Sequence, residues 1–338
     1  MKAIVVVKPN LLLIEDRPFP KIEADNQVLV RVKAGGICGS DLHIYRGESP
    51  VATYPRVIGH EIVGEVIETG PAVNKVKKGD RVAVEPVFSC GQCYPCKTGR
   101  PNVCEKLEVF GVHRDGGFQE YIVIPETNLH VFSKEIEWND AVIIEPFTIA
   151  AEVAERGFVM REDHVFIIGA GPIGLCILQY LKVVFEVKCG ICDVIEERLK
   201  RAEEIGADFV VNVSNSDLEH EVYKHFPKGA NVVVDAVGFP ETFESALKLA
   251  SSAGRIVLLG FDKRASSIPQ APITLKGLTI SGSRLQAGKF PHIVELFNKR
   301  KLSGKNLVTH VFPFERVMDT FELIEKSPEK VCKVVLSF

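Results

Sequence analysis

The strongest constraint on the fold lies past residue 140, where short apolar runs alternate with helical stretches in a regular rhythm. VFIIGAG leads into PIGLCILQYLKVVF, KCGICDV into IEERLKRAEEIG, and ADFVVNV into a polar helical piece around residues 216–226. NVVVDAVG, PETFESALKLASSAG and RIVLLG continue the series. Apolar runs bounded by turn residues and separated by amphipathic segments predict parallel strands covered by crossover helices, because parallel neighbours cannot be joined by a tight turn.

The first strand-to-helix turn reads Gly169-Ala170-Gly171-Pro172-Ile173-Gly174. A bare GxGxxG says little, but here it follows a strand and opens a helix. The first glycine then permits a tight turn, the second lets the backbone approach a pyrophosphate, and the third lets helix and strand pack closely. Free N–H groups and the dipole at the helix N-terminus attract the anion. Asp193 closes the next strand about twenty residues on, where a carboxylate accepts hydrogen bonds from the adenine ribose. Such a carboxylate repels a 2′-phosphate, so NAD is expected in preference to NADP. Its competing role, capping the next helix, would leave NADP open. Arg198, one helical turn on, either lies along the adenosine or forms a surface ion pair.

From residue 1 to about 132 the pattern differs. AIVVVK, QVLVRVKA, EIVGEVIETG, RVAVEPV and FQEYIVIP alternate with period two between Gly, Pro and charged breaks, which predicts antiparallel strands. The tail carries two amphipathic helices, FPHIVELFNKRKL and FERVMDTFELIEK, and a last strand, KVVLSF, able to return to the first domain. A chain of 338 residues exceeds one ordinary core and suits two domains. With 41 basic and 44 acidic residues the net charge is -3, which argues against a nucleic-acid partner or an electrostatic membrane anchor and for a small molecule. MKAIVVVKPN is too short an apolar run for a signal core or a membrane span. The expected compartment is therefore the reducing cytoplasm, where clustered thiols bind metal more often than they form disulfides.

Four of the nine cysteines, Cys90, Cys93, Cys96 and Cys104, share one stretch rich in Gly, Pro, Lys and Arg. Two-residue gaps let thiolates reach one Zn²⁺ from a tight turn, and the loop offers no core to bury them as plain apolar residues. All four corners of that ion would be taken, so it staples the lobe and does no chemistry. Cys189 and Cys192 form another CxxC but lie on an apolar strand with no second pair nearby; for them, Cys176 and Cys332, packing is expected. A catalytic zinc needs three ligands and a free corner. Candidates are Cys38 in GGICGSDLH, His60 and Glu61 in YPRVIGHEIVGE, and Glu145 in AVIIEPF, each beside a Gly or Pro break. Singly each has an ordinary alternative: a core cysteine, a satisfied histidine, a helix cap.

Taken together, GGICGSD, GHE, the four-cysteine lobe and GAGPIG resemble the medium-chain, zinc-containing alcohol and polyol dehydrogenases over the whole chain. Within that family the likeness runs to sorbitol and threonine dehydrogenases and to bacterial sugar-acid dehydrogenases. The resemblance implies an α/β fold, with a GroES-like β-barrel catalytic domain at residues 1–146 and 287–338 and a Rossmann NAD-binding domain at 147–286, the active site lying in the cleft. It implies two zinc ions per subunit. Cys38, His60 and Glu145 would hold the catalytic ion, with Glu61 beside it, exchangeable, and the replacement ligand if Glu145 does not coordinate. The resemblance further implies that the zinc would acidify a substrate hydroxyl whose carbon would give a hydride to the nicotinamide, with Ser40 and His43 carrying the proton outward. Those two could instead be a turn hydroxyl and a surface histidine. Arg284, in TISGSRLQAGKFP, and His113, in FGVHRDGGFQEY, are candidates for gripping a carboxylate or polyol hydroxyls, or are ordinary surface residues. The implied substrate is a hexonate, L-gulonate or L-galactonate, with a general polyol as the alternative. Homodimers or homotetramers paired through the strand near LTISGS are implied. Two other classes stay open: a zinc-free quinone-reductase type, which lacks the cysteine lobe and GHE, and a non-catalytic zinc- and NAD-binding redox regulator.

Overall fold

The structure, a computed structural model, describes residues 1–260 and 262–338. They divide into two units, Met1–Glu145 with Phe290–Phe338, and Pro146–Lys289.

In the first unit the strand Gln27–Gly36 organises the rest. It pairs antiparallel with Glu61–Thr69, with Tyr121–Pro125 and with the last strand, Lys333–Ser337. Arg81–Val84 and Leu129–Phe132 extend the sheet on one side and Val308–Pro313 on the other. The alternation predicted from the sequence drives this arrangement. Val28, Val30, Val32, Ile62, Val66, Val82, Ile122 and Ile124 all face one core, and each such side chain contributes roughly 1.5–3 kcal/mol on burial. The terminal strand returns as its apolar run suggests, with Val335 opposite Gly36.

The second unit is a parallel six-stranded sheet among the described residues. Its spatial order runs Phe209–Asn212, Lys188–Asp193, His164–Ile168, Ala230–Asp235, Ala250–Leu258, Thr279–Gly282. The chain order reverses at His164–Ile168, which gives the doubly wound Rossmann arrangement and its crevice at the carboxyl ends of the strands. The expected α/β class is what the structure has. One element differs from the reading above. The helix PETFESALKL stops at Leu249, and ASSAG belongs to the following strand. Ala253 takes φ +56° there and the pairing slips between Ala230 and Val232, so the small residues form an irregular strand entry where they read as a helix end. No helix among the described residues is long and apolar enough to cross a membrane.

Candidate functional site

Cys38 stands at the N-cap of the helix Gly39–Arg46, directly after the central strand of the first unit. Its N–H donates to Asp41 Oδ2 at 2.9 Å, and Gly59 N–H donates to Asp41 Oδ1 at 3.2 Å. Asp41 is fully buried. One carboxylate thus ties the cysteine loop to the Gly59–His60 turn, a bridge the sequence reading missed. The signal was present: Asp41 follows Cys38 by three, the spacing of a capping box. Gly59 is required in that turn, since its φ is +94° and a Cβ would lie 2.1 Å from Phe118 Cδ1.

The turn delivers His60, which is 8% exposed, and Glu61, which is 1% exposed. One ligand atom from each of Cys38, His60 and Glu61 lies within 4.8 Å of the others. Glu145 is not in that mutual set. It is buried at the start of the helix Ile144–Arg156 and close enough to feel the charges of His60, Glu61, Lys333 and Asp41. Burial pushes its carboxyl up to about 7, His60 opposing and Glu61 adding to the shift. Burial alone would push the His60 imidazole down, but Cys38, Asp41 and Glu145 outweigh it and hold the ring well above its usual value. A thiol, an imidazole and two carboxylates thus gather in one buried place beside Asp41 and Lys333. His60 Nδ1 is buried without a hydrogen-bond partner, 3.8 Å from Asp41 Oδ1. These residues fit a zinc ion: soft and borderline donors, with a carboxylate behind the histidine.

Lys333 was also missed. Its Nζ lies 2.6 and 2.8 Å from the two oxygens of Glu61 and 3.2 Å from Ile37 O, all buried. A lone lysine inside the apolar run VCKVVLSF was the available hint. Ser40 is half-buried in the same helix as Cys38. His43 is exposed, its Nδ1 2.6 Å from Glu48 Oε2, a bond that holds the Glu48 carboxyl below its usual range.

In the lobe, the Cys93 sulfur lies 3.4 Å from that of Cys96 and 3.7 Å from that of Cys104. Those spacings are too long for a disulfide, at about 2.05 Å, and approach the edge of a ZnS₄ tetrahedron, about 3.8 Å for 2.3 Å bonds. All four ligand atoms fall within 4.8 Å of one another. Backbone N–H bonds from Gln92 and Cys93 bring Cys90 down to about 6, whereas desolvation lifts Cys96 to about 11. A cation at the centre would let all four ionise together.

In the second unit, Gly169 takes φ +99° at the end of its strand, and a Cβ on Gly174 would lie 1.9 Å from Gly169 O. A Cβ on Gly171 would meet nothing within 4 Å, so no protein contact calls for that glycine and the cradle is open in front of it. Pro172 and Ile173 begin the helix Pro172–Val184. Asp193 Oδ2 accepts from Ala170 N–H at 2.8 Å, and Oδ1 from Val194 and Ile195 N–H at 2.8 and 3.0 Å. It therefore ties this turn to the start of the helix Glu196–Ile205. Arg198 Nη1 is 3.6 Å from Asp193 Oδ2. Arg284 is exposed, just past the strand Thr279–Gly282. His113 belongs to the first unit, its Nδ1 accepting from Val109 N–H at 3.1 Å. It lines a cavity of about 540 Å³ with Arg56, Phe88, Arg114, Asp115 and Tyr121, and none of the metal candidates is among the lining residues.

A Rossmann sheet with a glycine-rich strand-to-helix turn, together with a β-rich unit with two clusters of metal-ligand side chains, is the build of a dinucleotide-linked metal oxidoreductase. Residues 24–134 match the alcohol dehydrogenase GroES-like domain and residues 172–299 the zinc-binding dehydrogenase domain. The chain is 47% identical over 339 residues to the starvation-sensing protein RspB of Escherichia coli K12, covering 100% of this chain and 99% of that one. It is 32% identical over 346 residues to L-galactonate-5-dehydrogenase of the same organism, covering 100% and 99%. A solved structure from E. coli CFT073, described as a short chain alcohol dehydrogenase (rspB) complexed with NADH, superposes with TM-score 0.95 at 46% identity, covering 100% and 99%. The chain belongs to the zinc-containing alcohol and polyol dehydrogenase family.

Proposed function

We propose that this chain oxidises a secondary alcohol of a sugar acid with NAD, the substrate being a hexonate such as L-galactonate or L-gulonate. The observation that carries the reading is the buried meeting of Cys38, His60 and Glu61, with Glu145 beside them, none of which belongs to the apolar cluster of that unit. Cys38, His60 and one of the two carboxylates, Glu145 or its replacement Glu61, which the ligand-atom spacing favours, would hold the catalytic zinc, and Cys90, Cys93, Cys96 and Cys104 would hold a structural one. When bound, the catalytic zinc acts as a Lewis acid that makes a substrate hydroxyl acidic near neutral pH. Asp41 fixes the geometry of the two loops that carry Cys38 and His60. Ser40 and His43 pass the proton outward, and Glu48, paired to His43 Nδ1, sets the tautomer of that imidazole. The Gly169–Gly174 turn seats the pyrophosphate, Asp193 receives the adenine ribose hydroxyls, and Arg198 lies along the adenosine.

The hexonate assignment is supported by the likeness to L-galactonate-5-dehydrogenase and by Arg284, a guanidinium suited to bidentate binding of a carboxylate. His113 lines a cavity apart from the metal candidates and is assigned no substrate contact in this reading. The working form is a cytoplasmic homodimer or homotetramer joined through the edge strand Thr279–Gly282. A panel of hexonates, neutral polyols and amino-acid alcohols, followed by NADH formation, tests it. Hexonates should have the highest kcat/KM. If neutral polyols exceed them, the carboxylate role of Arg284 is wrong; if nothing turns over, the enzyme reading gives way to a zinc- and NAD-binding regulator.

A further inference from the structure

We propose that the cavity on the outer face of the strand Tyr121–Pro125 is a binding site for an aromatic carboxylic acid, built from guanidinium groups and aromatic rings and independent of both metal-ligand clusters. The inference does not rest on the function proposed above. All the lining residues belong to the first unit, and none of the cysteines or of His60, Glu61 and Glu145 is among them. Alternation along the strand separates two faces: Ile122 and Ile124 pack in the core, while Tyr121 and Val123 turn outward to the cavity. At about 540 Å³ the space suits an organic molecule better than a lone ion, since ligand pockets span roughly 300–1,000 Å³.

Part of the wall is cationic. The Arg56 side chain is only 12% exposed; Nη1 donates to Asp115 Oδ1 at 3.3 Å and Nη2 to Thr53 Oγ1, while Nε is buried with no hydrogen-bond partner. Two bonds for five N–H donors leave this guanidinium short of acceptors, which is costly for a group so far withdrawn from water. Asp115 is already shared, since Oδ1 also accepts from Val57 N–H at 3.1 Å and Oδ2 lies 3.8 Å from Arg17 Nη1. Arg114 lies over Phe88, 4.4 Å from the ring centroid, and its ion-pair partner Glu108 stands 3.6 Å away, beyond a hydrogen bond. The lining residues thus bring two guanidinium groups against one carboxylate. The loop that carries Arg114 and Asp115 is pinned, with Gly116 and Gly117 N–H donating to Val57 O and Gly59 O at 2.7 and 2.9 Å, so a ligand meets a wall already ordered. Phe88, Phe110 and Tyr121 supply the aromatic part. A guanidinium fork matches a carboxylate and a flat ring packs on aromatic faces. A bare anion would leave the rings uncovered, and a neutral aromatic would leave the arginine protons without acceptors.

The test is titration calorimetry of the zinc-replete, NADH-saturated protein with 2-naphthoate, with its neutral amide 2-naphthamide, and with inorganic phosphate. NADH keeps the aromatic probe out of the dinucleotide site. One 2-naphthoate should bind per chain, and both the amide and phosphate should bind at least about tenfold more weakly. R114A removes a half-exposed guanidinium and should weaken 2-naphthoate at least about tenfold. V123W fills the cavity from the outer face of the strand and should abolish binding. R56K should weaken it as R114A does, because an ammonium lacks the fork; should R56K fail to fold, R114A and V123W decide. Absence of 2-naphthoate binding up to about 10 mM overturns the proposal, as such an affinity is too weak to mark a site. Binding that R114A and V123W leave unchanged overturns it as well, since the probe then sits elsewhere, the metal-ligand clusters included. Equal affinity for acid and amide would remove the guanidinium role, and phosphate binding as tightly as 2-naphthoate would remove the aromatic one; either result overturns the assigned ligand class.

Discussion

At the scale of single residues, the site is built from side chains whose neighbours leave them little freedom. Cys38 is held by its own N–H on Asp41, which also fixes the turn before His60. Replacing Cys38 with Ser keeps these bonds and exchanges a thiolate for a poor zinc ligand. C38S should lower kcat more than about 100-fold while NADH binding, measured by fluorescence titration, stays near wild type; unchanged turnover would remove Cys38 from the metal. Asp193 needs a gentler substitution. Its oxygens accept three backbone N–H bonds, so Gly would loosen the turn as well as discharge it. Asn keeps an acceptor and loses the charge. D193N should raise the NADP-to-NAD ratio of kcat/KM at least tenfold, a change of about 1.4 kcal/mol in discrimination. An unaltered ratio would show that this carboxylate does not face the ribose.

At the scale of elements, period-two alternation and the strand–GxGxxG–helix unit made both the barrel strands and the parallel sheet legible, because each is a local pattern. What was not legible is what joins distant segments. Lys333 and Glu61 stand 272 residues apart, and only the register of two strands on Gly36 brings them together. Asp41 could be read as a cap but not as a bridge to Gly59. The helix end at Leu249 failed for a related reason: Ser, Ala and Gly are compatible with either a fraying helix or an irregular strand, and pairing with Ala230 decides it. A similar tertiary tie gives a pH prediction. Burial alone would raise Asp208, but the Lys182 ammonium at 2.8 Å and the Cys189 N–H at 2.7 Å outweigh it and hold the carboxyl below its usual 3.8. A depressed folded-state value means the stabilisation is present above the unfolded value and is lost as pH falls through the folded one. D208N should therefore melt below wild type at neutral pH, with the gap closing as both are taken into acid below that range. A gap independent of pH would assign the effect to lost packing.

At the scale of the whole molecule, the two metal clusters should part company under chelation. The lobe offers four thiols that close a tetrahedron and leave no corner for an incoming ligand, and its S···S spacings of 3.4 and 3.7 Å already approach that geometry. The other cluster has only one thiol, and in the proposed arrangement it would keep a corner open, so a chelator could enter its coordination sphere without first displacing a ligand. Dialysis against increasing chelator should first remove one zinc per chain, and activity should disappear with it while Tm changes little. The second zinc should leave only under harsher treatment, and Tm should then fall by at least ~4 °C, since each kcal/mol lost moves Tm by about 2–4 °C in a unit of this size. C93S should reproduce that second step alone, with Tm lowered before turnover is affected. If activity and Tm decline together with the first zinc, the open and closed sites have been assigned the wrong way round; if C93S melts like wild type, the four cysteines do not staple the lobe.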